Sequence, residues 1–532
     1  MFEEFADSLK EKTGGNLPFA GLLESIRGYF RDIQEKRRMG TDILFMITYM
    51  ASITTASVSR PEIFAFTAER KEYITTRYVK RVECFVKRWN YSYAEGLRMV
   101  AERVHNRVLA SLFNRYGNSI ESGVPDPEFL HLELATTRSV FRNTFDQGIE
   151  MLKKWGDAYI ALMLSSTIVS IIIMISIAIY SPEDIDGTLR TSYLLVGAIS
   201  AFGLITMYKA IPDDQKCHNL PDGGTYEQKM IERLERVILP ICVVTSVILL
   251  LLGVNFGVIV LLVGILLAPL GIFGWIDDNN IINRDEDFTV FIRGLGSIMG
   301  GKGLTTTPAL ADVDRKSLTV LGPFIDAVYS KLNLGLNETL VWQRFIRDTG
   351  SNLIYKYLNI FRDSIKLGGH PTEIAKIVST SMLEQTLLRQ KREMLATSFV
   401  VLMIPMHIAM IAIFAFLYHI MLTMTNAVKG VMDTFSETAS ALNTGSSSVG
   451  GSMLGSFNIL GNFPEDKMAT YLCMILMIIT ISNIFAGKIV KGGARYIYYF
   501  FGSILFGLTG IIFIVTPFIV DIFFKIPVFE AI

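Results

Sequence analysis

A chain of 532 residues with a hydrophobic fraction of 51% lies above the ordinary globular range, so a membrane protein is the first expectation. Lysine plus arginine and aspartate plus glutamate are equal at 50 each, and no global field draws the chain toward nucleic acid. Cys84, Cys217, Cys242 and Cys473 are scattered without CxxC spacing, which argues against a disulfide framework or a zinc site, and no cofactor is implied.

In chain order, the first fifteen residues are charged rather than apolar, so no cleavable signal peptide is expected before the first span. Residues 1–157 are charged and helix-patterned and read as a first helical domain. In its last helix Asp126 caps, Pro127 takes the first turn, and the pattern reaches Lys153 and Lys154. Residues 158–276 form a membrane region, because lipid requires about 20 apolar helical residues per crossing. Its spans are 158–180, 193–211, 237–254 and 256–276, with a cytoplasmic loop at 212–236. The turn at Gly253 to Phe256 is so short that a bent single helix or a re-entrant pair is the alternative. Residues 277–395 read as a second helical domain, ending in a helix opened by Pro371 and Glu373 with the stripe Ile374, Ile377, Val378 and Met382. Residues 396–532 hold spans at 398–424, 468–486 and 496–520 and a Ser/Gly-rich outer loop at 425–467, whose low-complexity part reads as flexible.

The expected fold class is therefore all-α, a polytopic helical membrane protein with two duplicated cytoplasmic helical-bundle domains. Lys216, Lys229, Arg233 and Arg236 follow the second span and Lys488, Lys491 and Arg495 the sixth, which orients the N-terminus to the cytoplasm of a multi-pass cell-membrane protein. The duplication rests on pairs about 245 residues apart: 42–52 with 287–297, Glu95 with Glu338, and Gly123 with Gly368. In both copies a Gly and then a Pro precede a long helix that runs into a span.

Few motifs carry chemistry. Gly296 to Gly303 falls one residue short of a phosphate-binding loop, because Gly303 stands where the metal-holding hydroxyl belongs and no strand precedes it. A glycine-rich turn between two helices is the expectation there. His407 shares a helix face with Met403 and Met410, a pattern that fits a soft-metal site but fits a packed or hydrogen-bonded histidine near Pro405 better. The spans hold no Asp, Glu or Arg, whereas ion-driven transporters and stators usually keep such a group. Mechanical work would then draw its energy from another subunit, and no catalytic residue is expected.

The layout of helical domain, four spans, similar domain and three spans, with Gly123 and Gly368 ahead of the helices into the membrane, resembles the type II secretion system protein F family. Within it, the size and the Ser/Gly-rich outer loop resemble the archaeal branch of archaellum membrane platforms. The resemblance implies a non-enzymatic homodimeric platform in the lipid bilayer, around which pilin-like filament subunits assemble while a hexameric secretion-type ATPase beneath supplies energy and rotation. It also implies a basic surface for the ATPase, for which Arg315, Lys316, Arg344, Arg347, Arg389, Lys391 and Arg392 are the candidates; taken singly, each reads more simply as a solvated face or as part of the positive-inside signal. The platform of an adhesive type IV pilus or secretion system is the alternative, and a channel or transporter component the reading from a different class.

Overall fold

A computed structural model describes residues 20–180, 184–210, 214–221, 223–441 and 464–523. The charged N-terminal stretch, most of the Ser/Gly-rich run and the C-terminal tail lie outside the described residues. The helices in order are α1 (Ala20–Ile53), α2 (Arg60–Glu69), α3 (Thr76–Trp89), α4 (Tyr93–Glu102), α5 (Arg107–Glu121), α6 (Asp126–Tyr180), α7 (Ile185–Ala210) and α8 (Tyr226–Leu251). They continue with α9 (Phe256–Lys302), α10 (Thr306–Asp312), α11 (Gly322–Asn333), α12 (Glu338–Thr349), α13 (Asn352–Lys366), α14 (Pro371–Ala441), α15 (Glu465–Lys491) and α16 (Ile497–Phe523). Among the described residues no strand forms; the one extended pairing is an isolated bridge between Cys217 and Ser351. Seven helices, α6 to α9 and α14 to α16, are long and apolar enough to cross a membrane. The protein is an all-α polytopic membrane protein.

Local signals account for the helix ends. Ser92 and Glu95 form a reciprocal capping box that opens α4, with the Ser92 N–H donating to Glu95 Oε2 at 3.0 Å. Asn106 accepts from the N–H groups of Val108 and Leu109 to open α5. The helix starts recur at an offset of 245 residues: α4, α5 and α6 begin at 93, 107 and 126, and α12, α13 and α14 at 338, 352 and 371. The expected pairing of Glu95 with Glu338 falls outside this register, because Glu95 is the third residue of α4 and Glu338 the first of α12, which Asn337 caps without a capping box. The turn between the last two helices of each copy is the same motif. Gly123 (φ +72°) donates to Ile120 O and Val124 to Ser119 O, while Gly368 (φ +89°) donates to Ile365 O and Gly369 to Ser364 O. Asp42 accepts from the Ile74 N–H at 2.9 Å, and Asp287 from the Val320 N–H at 2.8 Å.

The chain divides into two compact units. The first is Met1–Glu150, Ile211–Tyr226 and Asp278–Lys391, so it holds both copies and also the segment between α7 and α8, which the sequence assigned to the membrane region. The copies share one hydrophobic core that includes Phe45, Tyr49, Phe113, Phe288, Trp342 and Phe361. Here α1 packs on α13. A buried pair, Lys356 Nζ to Asp42 Oδ1 at 2.8 Å, joins them, with the ammonium 4.3 Å above the Phe45 ring.

The second unit is Met151–Ala210, Glu227–Asp277 and Arg392–Ile532. Lipid supplies no hydrophobic drive between helices, so close backbone approach matters more. A Cβ at Gly264 on α9 would lie 2.6 Å from Gly507 N on α16, and one at Gly510 would lie 2.6 Å from Leu261 N. This glycine seam clamps α9 to α16.

The expected tight turn between α8 and α9 is present, with Gly253 at φ +69° and Asn255 Oδ1 accepting from Gly257 N, so the two are separate helices rather than one bent helix. Two expectations change in detail. The run from Gly296 to Lys302 is the end of α9 rather than an interhelical turn. Its glycines serve packing, since a Cβ at Gly296 would lie 2.7 Å from Pro371 O and one at Gly300 would collide with Thr372. Helix α14 also continues beyond 424 to Ala441, into the stretch read as outer loop. Substituting Gly264 with Ile should force α9 from α16 and cost about 1–3 kcal/mol or more, read as a lower thermal midpoint in detergent; Ala at Gly197, which has open space around it, serves as the control.

Candidate functional site

The most densely charged interior site lies in the first unit, where three segments that each adjoin an apolar helix meet. Arg389 on α14 is 3% exposed and Asp285 on α9 is fully buried. Arg389 Nη1 donates to Asp285 Oδ2 at 2.6 Å, and Nε and Nη2 grip both oxygens of Asp214 at 2.7 and 2.6 Å. That fork-to-fork geometry is the strong form of the arginine–carboxylate pair. Nη2 also donates to Gln215 O at 2.9 Å. Ser351, whose Oγ caps α13 by accepting from Ile354 N, donates its hydroxyl to Asp285.

The electrostatics follow from burial. Desolvation pushes the Asp285 carboxyl up to about 6; Arg389 and Ser351 pull against this, while Asp214 adds to it. Arg389 is held above its usual value by its two carboxylates, which outweigh the burial that opposes its charge.

The segment before α8 completes the site by satisfying the open end of α12. His218 N donates to Gly350 O, His218 Nε2 donates to Ile346 O at 2.9 Å, Gly224 N donates to Arg347 O at 2.8 Å, and Arg284 Nη1 reaches Thr349 O. Because a carbonyl only accepts, Nε2 carries the proton, and burial lowers the His218 pKa in keeping with a neutral ring. Lys216 Nζ pairs with Asp278 at 2.8 Å, both groups being buried.

The candidate cations separate sharply. Arg389 and Arg392 are not surface groups, because each is consumed internally. Arg392, 5% exposed in the second unit, donates to Val490 O and Ile489 O at 3.0 and 2.8 Å and so caps α15, where the helix dipole favours a cation. Gly492 leaves the room for it, since a Cβ there would lie 2.7 Å from Arg392 Cζ. Arg315, half exposed, pairs with Asp326 and lies 4.6 Å from the Tyr329 ring. Arg344 pairs with Asp348 one turn along α12. Lys391 pairs with Asp146. Lys316 is exposed and Arg347 half exposed. Arg315 and Lys316 precede α11 while Arg344 and Arg347 sit on α12, so the cations occupy two separate elements rather than one helix face.

His407 lies fully buried in the second unit as the centre of a polar chain through four apolar helices. Tyr159 OH donates to Asn483 Oδ1, Asn483 Nδ2 to His407 Nδ1, and His407 Nε2 to Thr509 Oγ1, all at 3.0 Å; Thr509 meets Thr480 at 3.1 Å, which donates to Leu476 O. Both ring nitrogens are engaged, so the face with Met403 and Met410 is not needed to satisfy the ring. Among the described residues no three His, Cys, Asp or Glu side chains converge as a metal would require.

Sequence reasoning missed Asp214, Asp285 and Ser351 as partners of Arg389. The available signal was the run Arg284-Asp285-Glu286-Asp287 inside a helix that starts as a membrane span, a place where charges need partners.

Two curated proteins are similar to the chain. One is Flagella accessory protein J of Methanocaldococcus jannaschii, 20% identical over 374 residues that cover 67% of this chain and 66% of that protein. The other is Flagella accessory protein J of Methanococcus voltae, 20% identical over 377 residues with the same coverages. The match thus spans just under two thirds of each relative's length. No family model and no solved structure matches the chain.

Replacing Arg389 with Ala would strand two carboxylates in the interior and should cost about 3–5 kcal/mol, measured by denaturant or thermal unfolding in detergent. The Asp285 carboxyl sets a pH signature. Between its ordinary value near 4 and about 6, the folded chain holds a proton that the unfolded chain has released, so this group's contribution to stability falls as pH rises through that window. Stability of the wild type relative to Asp285→Asn should therefore decline from about pH 4 to about pH 6; a flat difference would contradict the burial-raised carboxyl.

Proposed function

We propose that this chain is the membrane platform on which an archaeal type IV pilin-like filament, the archaellum, is assembled. The observation that carries the reading is the similarity to the two Flagella accessory proteins J over two thirds of the chain, with seven apolar helices. The continuity of α6 and α14 supports it, since each starts beside the shared core of the first unit and runs without a break into an apolar stretch.

In this reading the chain does no chemistry of its own, works as a homodimer and sits in the cell membrane with its N-terminus cytoplasmic. A hexameric secretion-type ATPase supplies the work and the rotation, and the pilin-like subunits are the cargo. The engaged state of His407 supports the platform over a transporter, because a ring with both nitrogens bonded inside the bundle has no vacancy for a transported ion or proton.

The test is a chromosomal deletion with complementation, scored by filaments per cell in electron micrographs and by swimming. Filaments should disappear in the deletion and return with the wild-type chain. Normal archaella in the deletion strain would refute the reading, and loss of adhesive pili alone would move the function to the pilus platform.

A further inference from the structure

Where the two copies join, α13 of the second lies on α1 of the first and on the short segment between α2 and α3. Near the start of α13 the join is complete. Lys356 Nζ meets Asp42 Oδ1 at 2.8 Å, the other Asp42 oxygen accepts from Ile74 N, and the Tyr357 ring packs 5.1 Å from Phe45 while its hydroxyl accepts from Gln385. Toward the end of α13 it is incomplete. Arg70 Nη1 pairs with Asp363 Oδ2 at 2.6 Å, and Glu72 Oε1 accepts from Tyr355 OH and Asn359 Nδ2 at 3.3 and 3.1 Å. Yet Arg70 Nε, Glu72 Oε2 and the Tyr73 hydroxyl are buried without a hydrogen-bond partner, as are Ser364 Oγ on α13 and Ser52 Oγ at the end of α1.

The duplication shows that a single copy does not need this edge. Lys356, Asn359 and Asp363 correspond to Ser111, Asn114 and Asn118 on α5, and all three of those are exposed. A helix in that place therefore folds into its own copy without the charges, which serve the join alone. Buried polar groups are normally paired, and one left unpaired bears its full desolvation penalty. Water would relieve it if the edge opened. Burial pushes the Glu72 and Asp363 carboxyls above the usual carboxylate range, against the pull of Arg70, so both gain by rehydration. The Arg389 site has no such edge, because both oxygens of Asp214 and both of Asp285 are engaged there.

We propose that the join between the copies is a one-sided hinge, in which α13 pivots on the Phe45–Tyr357 contact while the edge formed by Arg70, Glu72 and Asp363 opens to admit water. The pivot is apolar and its polar neighbours are satisfied, so it holds. The edge is polar and partly unsatisfied, so its opening is the cheapest departure from the closed form. The movement lies wholly within the first unit and needs no partner, so it stands apart from the platform reading.

The experiment uses the full-length chain in nanodiscs and follows modification by N-ethylmaleimide residue by residue with mass spectrometry. Ser364→Cys and, on the facing helix, Ser52→Cys report the edge, both positions being fully buried when it is closed. Val82→Cys is the control, since Val82 is equally buried but packs on Gly96 within its own copy. Both edge thiols should react at least about tenfold faster than the control. Arg70→Ala, which leaves two carboxylates without their cation, should speed them at least about tenfold more. The apolar triple Arg70→Met, Glu72→Met and Asp363→Leu should slow them to the control rate with an unfolding midpoint equal to or above that of the parent. Edge thiols as slow as Val82→Cys in the parent overturn the hinge, as does fast reaction at only one of the two, which marks a local effect of the substitution. Rates that the apolar triple leaves unchanged place the opening elsewhere, and a lowered midpoint in that triple makes the charges a structural requirement; either result overturns the proposal. Because no ATPase or filament enters the readout, its failure leaves the platform reading intact.

Discussion

A guanidinium shut away from water has to be met by anions with geometry good enough to offset its desolvation, and in this protein that requirement organises the first unit. Arg389 takes a bidentate grip on Asp214 and a third bond to Asp285. Asp285 is in turn held by Ser351, which caps α13. Satisfying one buried cation therefore locates the residues that follow α7, the middle of α9, the start of α13 and the first third of α14. Three of those four segments adjoin helices apolar enough to span a membrane. The ionic site is best understood as a rigid joint, since loosening any member would leave another charge buried without a partner.

Around that joint, two copies of one helical pattern have diverged in an informative way. The cap positions, the left-handed glycine turns and the Asp42 and Asp287 contacts recur in both, while the capping residues themselves differ, Ser92 and Asn106 in one copy and Asn337 and Ser351 in the other. The contact between copies is not symmetric. Lys356 reaches Asp42 and Arg70 reaches Asp363 at 2.6 Å, whereas the positions 245 residues away from Lys356 and Asp363 hold Ser111 and Asn118. Charges placed on one copy alone thus set how the two halves join.

The second unit uses different physics. Glycines on α9 and α16 bring backbones together where hydrocarbon offers no drive for association. Hydrogen bonds from Tyr159 through Asn483, His407 and Thr509 to Thr480 then fix which helices neighbour which. An unsatisfied polar group in that setting is costly, so the network discriminates against other helix registers.

Much of this was legible in the amino-acid order alone. Apolar runs of span length, the absence of Asp, Glu and Arg within them, the 245-residue repeat and the Asp126–Pro127 and Pro371 helix starts are local signals, set by backbone hydrogen bonding and by the thickness of a bilayer. Roles that depend on what lies opposite could not be read that way. Arg389, Lys391 and Arg392 look alike in a basic run before a span, yet successive residues on a helix point about 100° apart. One of the three ends in a buried ionic joint, one in an exposed pair and one as the cap of α15. Likewise the run from Gly296 to Gly303 resembles a phosphate loop until α14 is found lying against Gly296 and Gly300. Sequence determines which residues can form a helix and which face of it is apolar; only the tertiary structure decides which partner a buried charge such as Arg389 meets, because its carboxylates lie 104 and 175 residues away along the chain.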